Sequence, residues 1–556
     1  MTTRFRPSRT SILIAALLAL VPALFAQSVH PIAKINPPAE GTFPGGRGTN
    51  ELIVYTPFAG RTSTGTNPWG SEAIVRGGVV VANGGNDNEI PADGFVVSGH
   101  GNAARWISQM LQPGVALYFT RDELCLDTSR GAEIRSLLFR VDALKPRIES
   151  LADPGGYGER AAALAERLRA IDDHDSAEAV AALRSAVDEL DQEVWTMELE
   201  SSPAPAGEIH AVWYRPREKS RAEVVALAEA WAAAGVNVVF PETIYASQAI
   251  YPDATGFYAR FPQFGEFDIL AAMIEECHAR GIEVHAWVHC FFIGIVGSTE
   301  EPPLLAETYP EWLAVNREER QASVVEENFL FFNPAIPELR ARMIAAYTAL
   351  ARDYAIDGFQ FDYIRYGQAE SWKTTYDFSD YTRERVRDEL GFDPLAITPD
   401  ANPAEWARWL AWRENVITSF VDEASAAVRA VRPGLILSAD VFPDIDSAVA
   451  IKAQNWAEWG RSGRVDALVP MAYVTDTRSL TGTVHELDGV VPEGGPLVVG
   501  IGPFLGLTPR QLIEQIGATR EAGATGQALF NWETTTPAMR SALARGPWRN
   551  KTKPVW

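Results

Sequence analysis

From Glu208 onward, short runs of β-branched and aromatic residues alternate with stretches of helical periodicity, and this alternation restricts the fold more than any other feature of the chain. The strand-like runs cover 209–214, 236–241, 282–291, 356–363, 435–441, 465–473, 497–501 and 526–532. Helical patterns such as 221–234, 269–280, 404–431, 448–459 and 509–522 lie between them, several ending at Gly. Strands spaced by helices of this length run parallel, because a tight turn cannot connect them otherwise. Eight of them are what a closed barrel requires, so the expected fold class is α/β, a TIM (β/α)8 barrel over 208–548. A doubly wound open sheet has the same local pattern, but no Gly-rich phosphate fingerprint follows the first strand.

In a parallel barrel the C-terminal strand ends converge on one mouth, where active sites are built. The stretch 356–366 reads Ile-Asp-Gly-Phe-Gln-Phe-Asp-Tyr-Ile-Arg-Tyr, so Gly358, Gln360 and Asp362 share one face of a strand that ends in a carboxylate. Asp362 is therefore the first catalytic candidate. The other strand ends supply Arg215 and Arg217, Glu242, His285 with Trp287 and His289, Tyr363 with Arg365, Asp440 and Asp444, Tyr473 and Asp476, and Trp532 with Glu533. Carboxylates and flat aromatics dominate, and sugars need both: rings cover the apolar pyranose face while carboxyl groups bind hydroxyls and move protons. Glycosidic cleavage uses two carboxyl groups, one ionised and one kept protonated. Arg365 close to Asp362 favours its charged form, which makes Asp362 the ionised partner. Glu533 and Asp440 rank together as the acid, with Glu242 behind them, and each could equally bind hydroxyls or form an ion pair. Glu242, His285, Trp287, His289, Tyr363, Arg365, Tyr473 and Trp532 are the expected substrate contacts. His285 and His289 on one strand face also admit a metal reading, but the remaining ligands are not evident, and no metal or other cofactor is expected. Neither a Walker loop nor a Gly-x-Ser-x-Gly elbow is present.

Ahead of the barrel the organisation changes twice. Arg4, Arg6 and Arg9 precede an apolar run and a small residue at Ala26, the pattern of a secretory signal peptide over 1–26. That run is short for a membrane span, so no span is expected once the signal is removed, and a secreted or periplasmic location follows. A Pro- and Gly-rich linker is expected over 27–50, a small β-rich domain over 51–141 and a helical hairpin with linker over 142–207, broken near Asp172–Asp175. A tail, 549–556, follows the barrel. The three cysteines, Cys125, Cys277 and Cys290, imply no disulfide framework. A formal net charge of −23 without a basic stripe repels phosphate backbones, which excludes nucleic acid as a partner. The sequence does not fix an oligomeric state.

Two resemblances to known families follow from these residues. His210-Ala-Val-Trp213, Gly235-Val-Asn-Val-Val239, His278-Ala-Arg-Gly-Ile-Glu-Val-His-Ala-Trp287, Pro310-Glu-Trp312, Phe332-Asn-Pro334, Asp357-Gly-Phe-Gln-Phe-Asp-Tyr-Ile-Arg-Tyr366 and Val469-Pro-Met-Ala-Tyr473 resemble the bacterial glycosyl-hydrolase-like family 10 proteins. The resemblance implies an exported TIM-barrel glycoside hydrolase acting on a carbohydrate polymer of the cell envelope or surroundings, peptidoglycan-type amino-sugar chains among them. It adds Asn333 to the expected substrate contacts. Many members are lipoproteins, whereas no cysteine follows the apolar run here, and His289-Cys290 stands where relatives often place Asn-Pro. In the β-rich region, Asn83-Gly-Gly-Asn-Asp-Asn-Glu89 and the residues up to His100 resemble part of the phosphodiester-glycosidase-like domains. Three functions are thus expected in order: a glycoside hydrolase, a non-catalytic carbohydrate-binding envelope protein on the same scaffold, and a metal-dependent hydrolase using His285 and His289.

Overall fold

The structure, a computed structural model, describes residues 52–57, 62–65, 70–85, 87–120, 123–171, 175–323, 325–491 and 495–556, and the backbone of the strand His30–Ile35. The expected signal peptide lies outside the described residues. No helix among the described residues is long and apolar enough to cross a membrane. The chain divides into two compact units, Met1–Ser201 and Ser202–Trp556.

The first unit holds a seven-stranded mixed sheet in the spatial order Val79–Asn83, Gly70–Arg76, Gly94–His100, Leu52–Tyr55, His30–Ile35, Glu123–Leu126 and Leu117–Phe119. The expected linker 27–50 thus contains a strand, paired in parallel with Leu52–Tyr55. The Asn- and Gly-rich stretch forms turns tied to this sheet. Asn83 donates to the Ile107 and Leu111 carbonyls at 3.0 and 2.8 Å, closing the end of helix Asn102–Met110. Asn88 and Thr64 each donate to the buried Glu72 carboxyl at 2.8 Å. Three helices follow where the periodicity predicted a pair: Arg130–Glu149, Tyr157–Arg169 and Ala177–Ser201. The first begins a dozen residues before the expected boundary because Ser129 caps it, accepting from the Ala132 N–H at 3.2 Å. Leu137, Val141, Leu144, Leu164, Leu183 and Val187 form the core these helices share.

The second unit is the barrel. Its strands are Ile209–Tyr214, Val238–Tyr245, Glu283–His289, Gly358–Asp362, Ile436–Val441, Ala467–Pro470, Val498–Ile501 and Gly526–Leu529. Each pairs in parallel with its sequence neighbour, and the eighth returns to the first through Gly526 to Ile209 and Leu529 to Val212. Only the sixth and seventh strands lack a full ladder, meeting at a single parallel bridge between Leu468 and Leu497. That bridge nearly closes the cylinder and rules out the open sheet. Side chains alternate across the wall as a two-residue period demands. Ile209, Ala211, Trp213, Val238, Phe240, Val469, Val498 and Ala528 fill the interior. Val212, Val239, Phe359, Phe361, Leu437 and Val499 face the surrounding helices.

The helices stop and start where the sequence chemistry says they should. Ser220 and Glu223 form a reciprocal capping box at the start of Arg221–Ala234, and Gly235 ends it with φ +87°. A side chain there would strike the Trp548 carbonyl, so only glycine fits. The expected helix 448–459 is instead two, Ile445–Lys452 and Trp456–Arg461, separated by Ala453 in the left-handed region at φ +57°. Between the third and fourth strands the chain makes a hairpin, Phe292–Ile295 with Phe329–Phe331, that rises beside the mouth.

Candidate active site

The fourth strand places Asp362 at the mouth, in register with His289 of the third. The chain then turns sharply: Tyr363 adopts φ +48°, an unusual conformation for a residue with a side chain. This turn stacks the Tyr363 ring on Phe292 at 4.8 Å and brings it 4.7 Å from His289. Asp362 accepts from Trp287 Nε1–H at 3.0 Å and from the Tyr363 backbone N–H at 2.5 Å. His289 Nε2 lies 3.9 Å from Asp362 Oδ2 and 3.2 Å from Glu242 Oε1, so two carboxyl groups share one imidazole. Glu242 is also gripped by the Arg215 guanidinium, whose other arm reaches Glu301 at 2.7 Å.

These groups open into a cavity of about 560 Å³ at the C-terminal end of the barrel. Of the residues expected there, Asp362, Glu533, Glu242, Trp287, His289, Tyr363, Arg365 and Tyr473 line it. Glu533 comes from the loop after the eighth strand, which stands diametrically across the barrel from the fourth. Its Oε1 accepts from the Arg215 backbone N–H at 3.4 Å. Aromatic faces of Phe292, Phe329, Phe442 and Phe530 complete the lining.

Asp444 and Asp476 cap the helices Ile445–Lys452 and Thr477–Asp488, and four of the expected catalytic and substrate-contact residues also lie elsewhere. His285 shares its strand face with His289, but four residues of strand put it roughly 13 Å deeper. There it meets the Trp556 ring at 4.6 Å and Glu283 at 3.4 Å, near the base of the barrel. A common metal ligand sphere for the two histidines does not fit this spacing, and no group of three or more His, Cys, Asp or Glu suited to a metal is found among the described residues. Asn333 is fully buried and donates to Ser379 and Thr382 at 3.0 and 2.9 Å, fixing a loop outside the cavity. Trp532 turns into the helical layer, where the Arg540 guanidinium lies 3.8 Å above its ring. Asp440 sits in the barrel wall, 1% exposed, and is not among the residues that line the cavity. It follows the pairs Gln360 with Ser438 and Phe361 with Ala439, so it is the next residue in line beside Asp362.

As expected, the charge of Arg365 favours the ionised form of Asp362, although the guanidinium itself binds Glu326 at 2.8 Å and lies over the Tyr363 ring. Burial raises the Asp362 pKa, against the opposing pull of His289, Trp287 and the Tyr363 N–H. Burial and the Asp362 charge together hold Asp440 well above the usual carboxylate range. Glu533 is also raised by burial. Burial opposes ionisation of Glu242 too, but His289 and Arg215 outweigh it and its pKa is lowered. The site therefore combines a fixed carboxylate, a coupled aspartate pair and a separate protonatable glutamate.

The residues that pattern reading left out of the site come from loops. Arg215 had been placed at the mouth, but its role as the clamp on Glu242 and Glu301 depends on a loop far away in sequence. Phe292 and Phe329 belong to the hairpin, whose short apolar runs carried no sign of facing a cavity.

Residues 206–501 match the glycosyl hydrolase-like 10 family, more than half of the chain. Among similar proteins, the glycosyl hydrolase YngK of Bacillus subtilis is 24% identical over 209 residues, 36% of this chain and 35% of that protein. The glycosyl hydrolase DigH of Escherichia coli is 20% identical over 278 residues, 44% of this chain and 56% of that protein. The chain thus spans between a third and somewhat more than half the length of these relatives. Among solved structures, the PgaB (BpsB) glycoside hydrolase domain of Bordetella bronchiseptica aligns with a TM-score of 0.48 at 14% identity, over 62% of this chain and 99% of that one. By the extent of the family match, this chain belongs to the glycosyl hydrolase-like 10 family.

Proposed function

We propose that the protein is an exported glycoside hydrolase that cleaves O-glycosidic bonds of a cell-envelope or extracellular glycan, amino-sugar polymers of the peptidoglycan type included. The observation that carries this reading is the placement of Asp362 and Glu533 on opposite walls of one aromatic-lined cavity. A sugar ring seated between them has a carboxyl group on each side of the scissile bond, which is the arrangement that glycosidic cleavage requires. In the coupled aspartate pair the proton resides on Asp440, whose surroundings offer little to a negative charge. Asp362 then carries the charge, stabilised by the Trp287 and Tyr363 N–H groups. It acts as nucleophile or base on the developing oxocarbenium centre. Glu533, raised by burial, keeps a proton for the leaving oxygen. Trp287, Tyr363 and Tyr473 present ring faces and polar tips to the sugar.

The test is release of oligosaccharides from a panel of purified bacterial glycans by wild type and by Asp362→Asn. The expected result is a fall of about 10²- to 10⁴-fold in the variant with its fold intact by circular dichroism. Equal product release by both proteins would remove Asp362 from the chemistry. Binding of glycan without turnover by wild type would leave a carbohydrate-binding protein instead.

A further inference from the structure

Arg413 sits on the long helix Pro403–Val431 and is fully buried, yet no carboxylate pairs with it among the described residues. Its guanidinium stacks 4.7 Å from the Tyr366 ring and 5.1 Å from the Trp409 ring, and Nη2 donates to the Ile451 carbonyl at 3.2 Å. Among the described residues its Nε and Nη1 have no hydrogen-bond partner, and the same holds for the Tyr366 hydroxyl and for Trp409 Nε1, both on side chains with no solvent exposure. Three side chains packed against one another thus carry four buried donors, two of them on the cation, without an acceptor among the described residues.

The neighbourhood gives no internal counterion. Asp377 is the carboxylate whose field reaches Arg413, but its oxygens are taken by the Val315 N–H at 2.6 Å, the Ser379 hydroxyl at 2.6 Å and the Thr382 hydroxyl at 2.5 Å. Burial also raises the Asp377 pKa, which weakens it as a counter-charge. The residues next to two of its contacts add cations, not acids: Lys452 follows Ile451 and Arg365 precedes Tyr366, and of the two only Arg365 has an ion-pair partner among the described residues, Glu326. Burial pulls Arg413 down to about 10, so it stays protonated at neutral pH. Uncompensated, such a charge costs several kcal/mol in a protein interior, and orphaned donors add to that cost.

We propose that Arg413, Tyr366 and Trp409 form a buried site for a small monovalent anion, of the size and charge of chloride. An anion cancels the guanidinium charge and accepts from donors that point at nothing else, whereas a water molecule would satisfy donors and leave the charge. Tyr366 is on the loop that follows Asp362 and carries Arg365, and Arg365 donates to the Tyr366 carbonyl at 3.0 Å. Occupancy therefore stiffens the chain segment that orients Asp362.

Two measurements on the whole protein decide the matter, neither depending on catalysis. In crystals soaked in bromide, an anomalous peak is expected within hydrogen-bond distance of Arg413; a site holding only water there overturns the proposal. In thermal unfolding at constant ionic strength, replacing gluconate by chloride raises the midpoint by a few degrees. A midpoint indifferent to halide also overturns it. Arg413→Gln abolishes the halide response. Should that variant fail to fold, Tyr366→Phe keeps the packing, removes one donor and weakens the response; an unchanged response in Tyr366→Phe removes Tyr366 from the site.

Discussion

Asp362 and Asp440 stand side by side on adjacent strands, where two negative charges about 5 Å apart at the backbone cannot both be accommodated cheaply. Because burial and the Asp362 charge favour the acid form of Asp440, Asp440→Asn should replace a largely neutral group by another of the same shape. It should keep most of its activity while Asp362→Asn loses it. The same variant reports on stability. The folded-state pKa of Asp440 is raised above its unfolded value, so its stabilising contribution is complete below the unfolded value and disappears as pH rises through the folded one. Asn does not titrate, and urea midpoints at about pH 5 and about pH 8 should therefore shift in favour of Asp440→Asn at the higher pH. On the proposed role of Glu533 as the acid, activity should fall as pH rises through its elevated pKa, and Glu533→Gln should lose activity together with that alkaline limb. The position of Asp362 at the mouth was legible because the C-terminal ends of parallel barrel strands converge there. The influence of Arg365 on Asp362 was legible too, but sequence proximity does not show Glu326, which comes from the segment between the third and fourth strands and binds the guanidinium.

Elements were easier to read than individual side chains, since hydrophobic period and helix caps are local properties. All eight barrel strands fall inside or within a few residues of the runs picked out by β-branched and aromatic residues. The break at Ala453 was invisible because no Gly or Pro marks it. Helix Arg130–Glu149 was cut short because its first three turns carry mixed polar residues that resemble the preceding strands' turns. Depth along a strand was readable but not weighed: His289 stands at the C-terminal end that faces the mouth, and four residues of strand already put His285 well below it. Gly358 shows how the fourth strand receives His285. A Cβ there would sit 2.0 Å from His285 Nδ1, so the ring occupies the space that a side chain at 358 would need. Gly358→Ala should cost about 1–3 kcal/mol by denaturant unfolding, by forcing the imidazole and the strand apart.

At the level of the whole molecule, the barrel was predictable from strand count and connection length, whereas its fastening was not. The last residues return to the barrel base: Trp556 Nε1 donates to Glu283 at 2.8 Å, its ring lies against His285, and Val555 N–H binds the Gly207 carbonyl at 2.8 Å. What the sequence presented as a plain tail is a plug. Removing residues 553–556 should lower stability by about 2 kcal/mol in urea unfolding while leaving turnover of a glycan substrate unchanged, because the plug and the cavity lie at opposite ends. The joint between the sixth and seventh strands has a different consequence. A ring fastened at one point by a lone Leu468–Leu497 bridge keeps its shape but not its stiffness. Deuterium should enter the amides along that seam well before those between the fourth and fifth strands, so the breathing of the cylinder is concentrated two strands away from Asp362 and spares the wall that holds it.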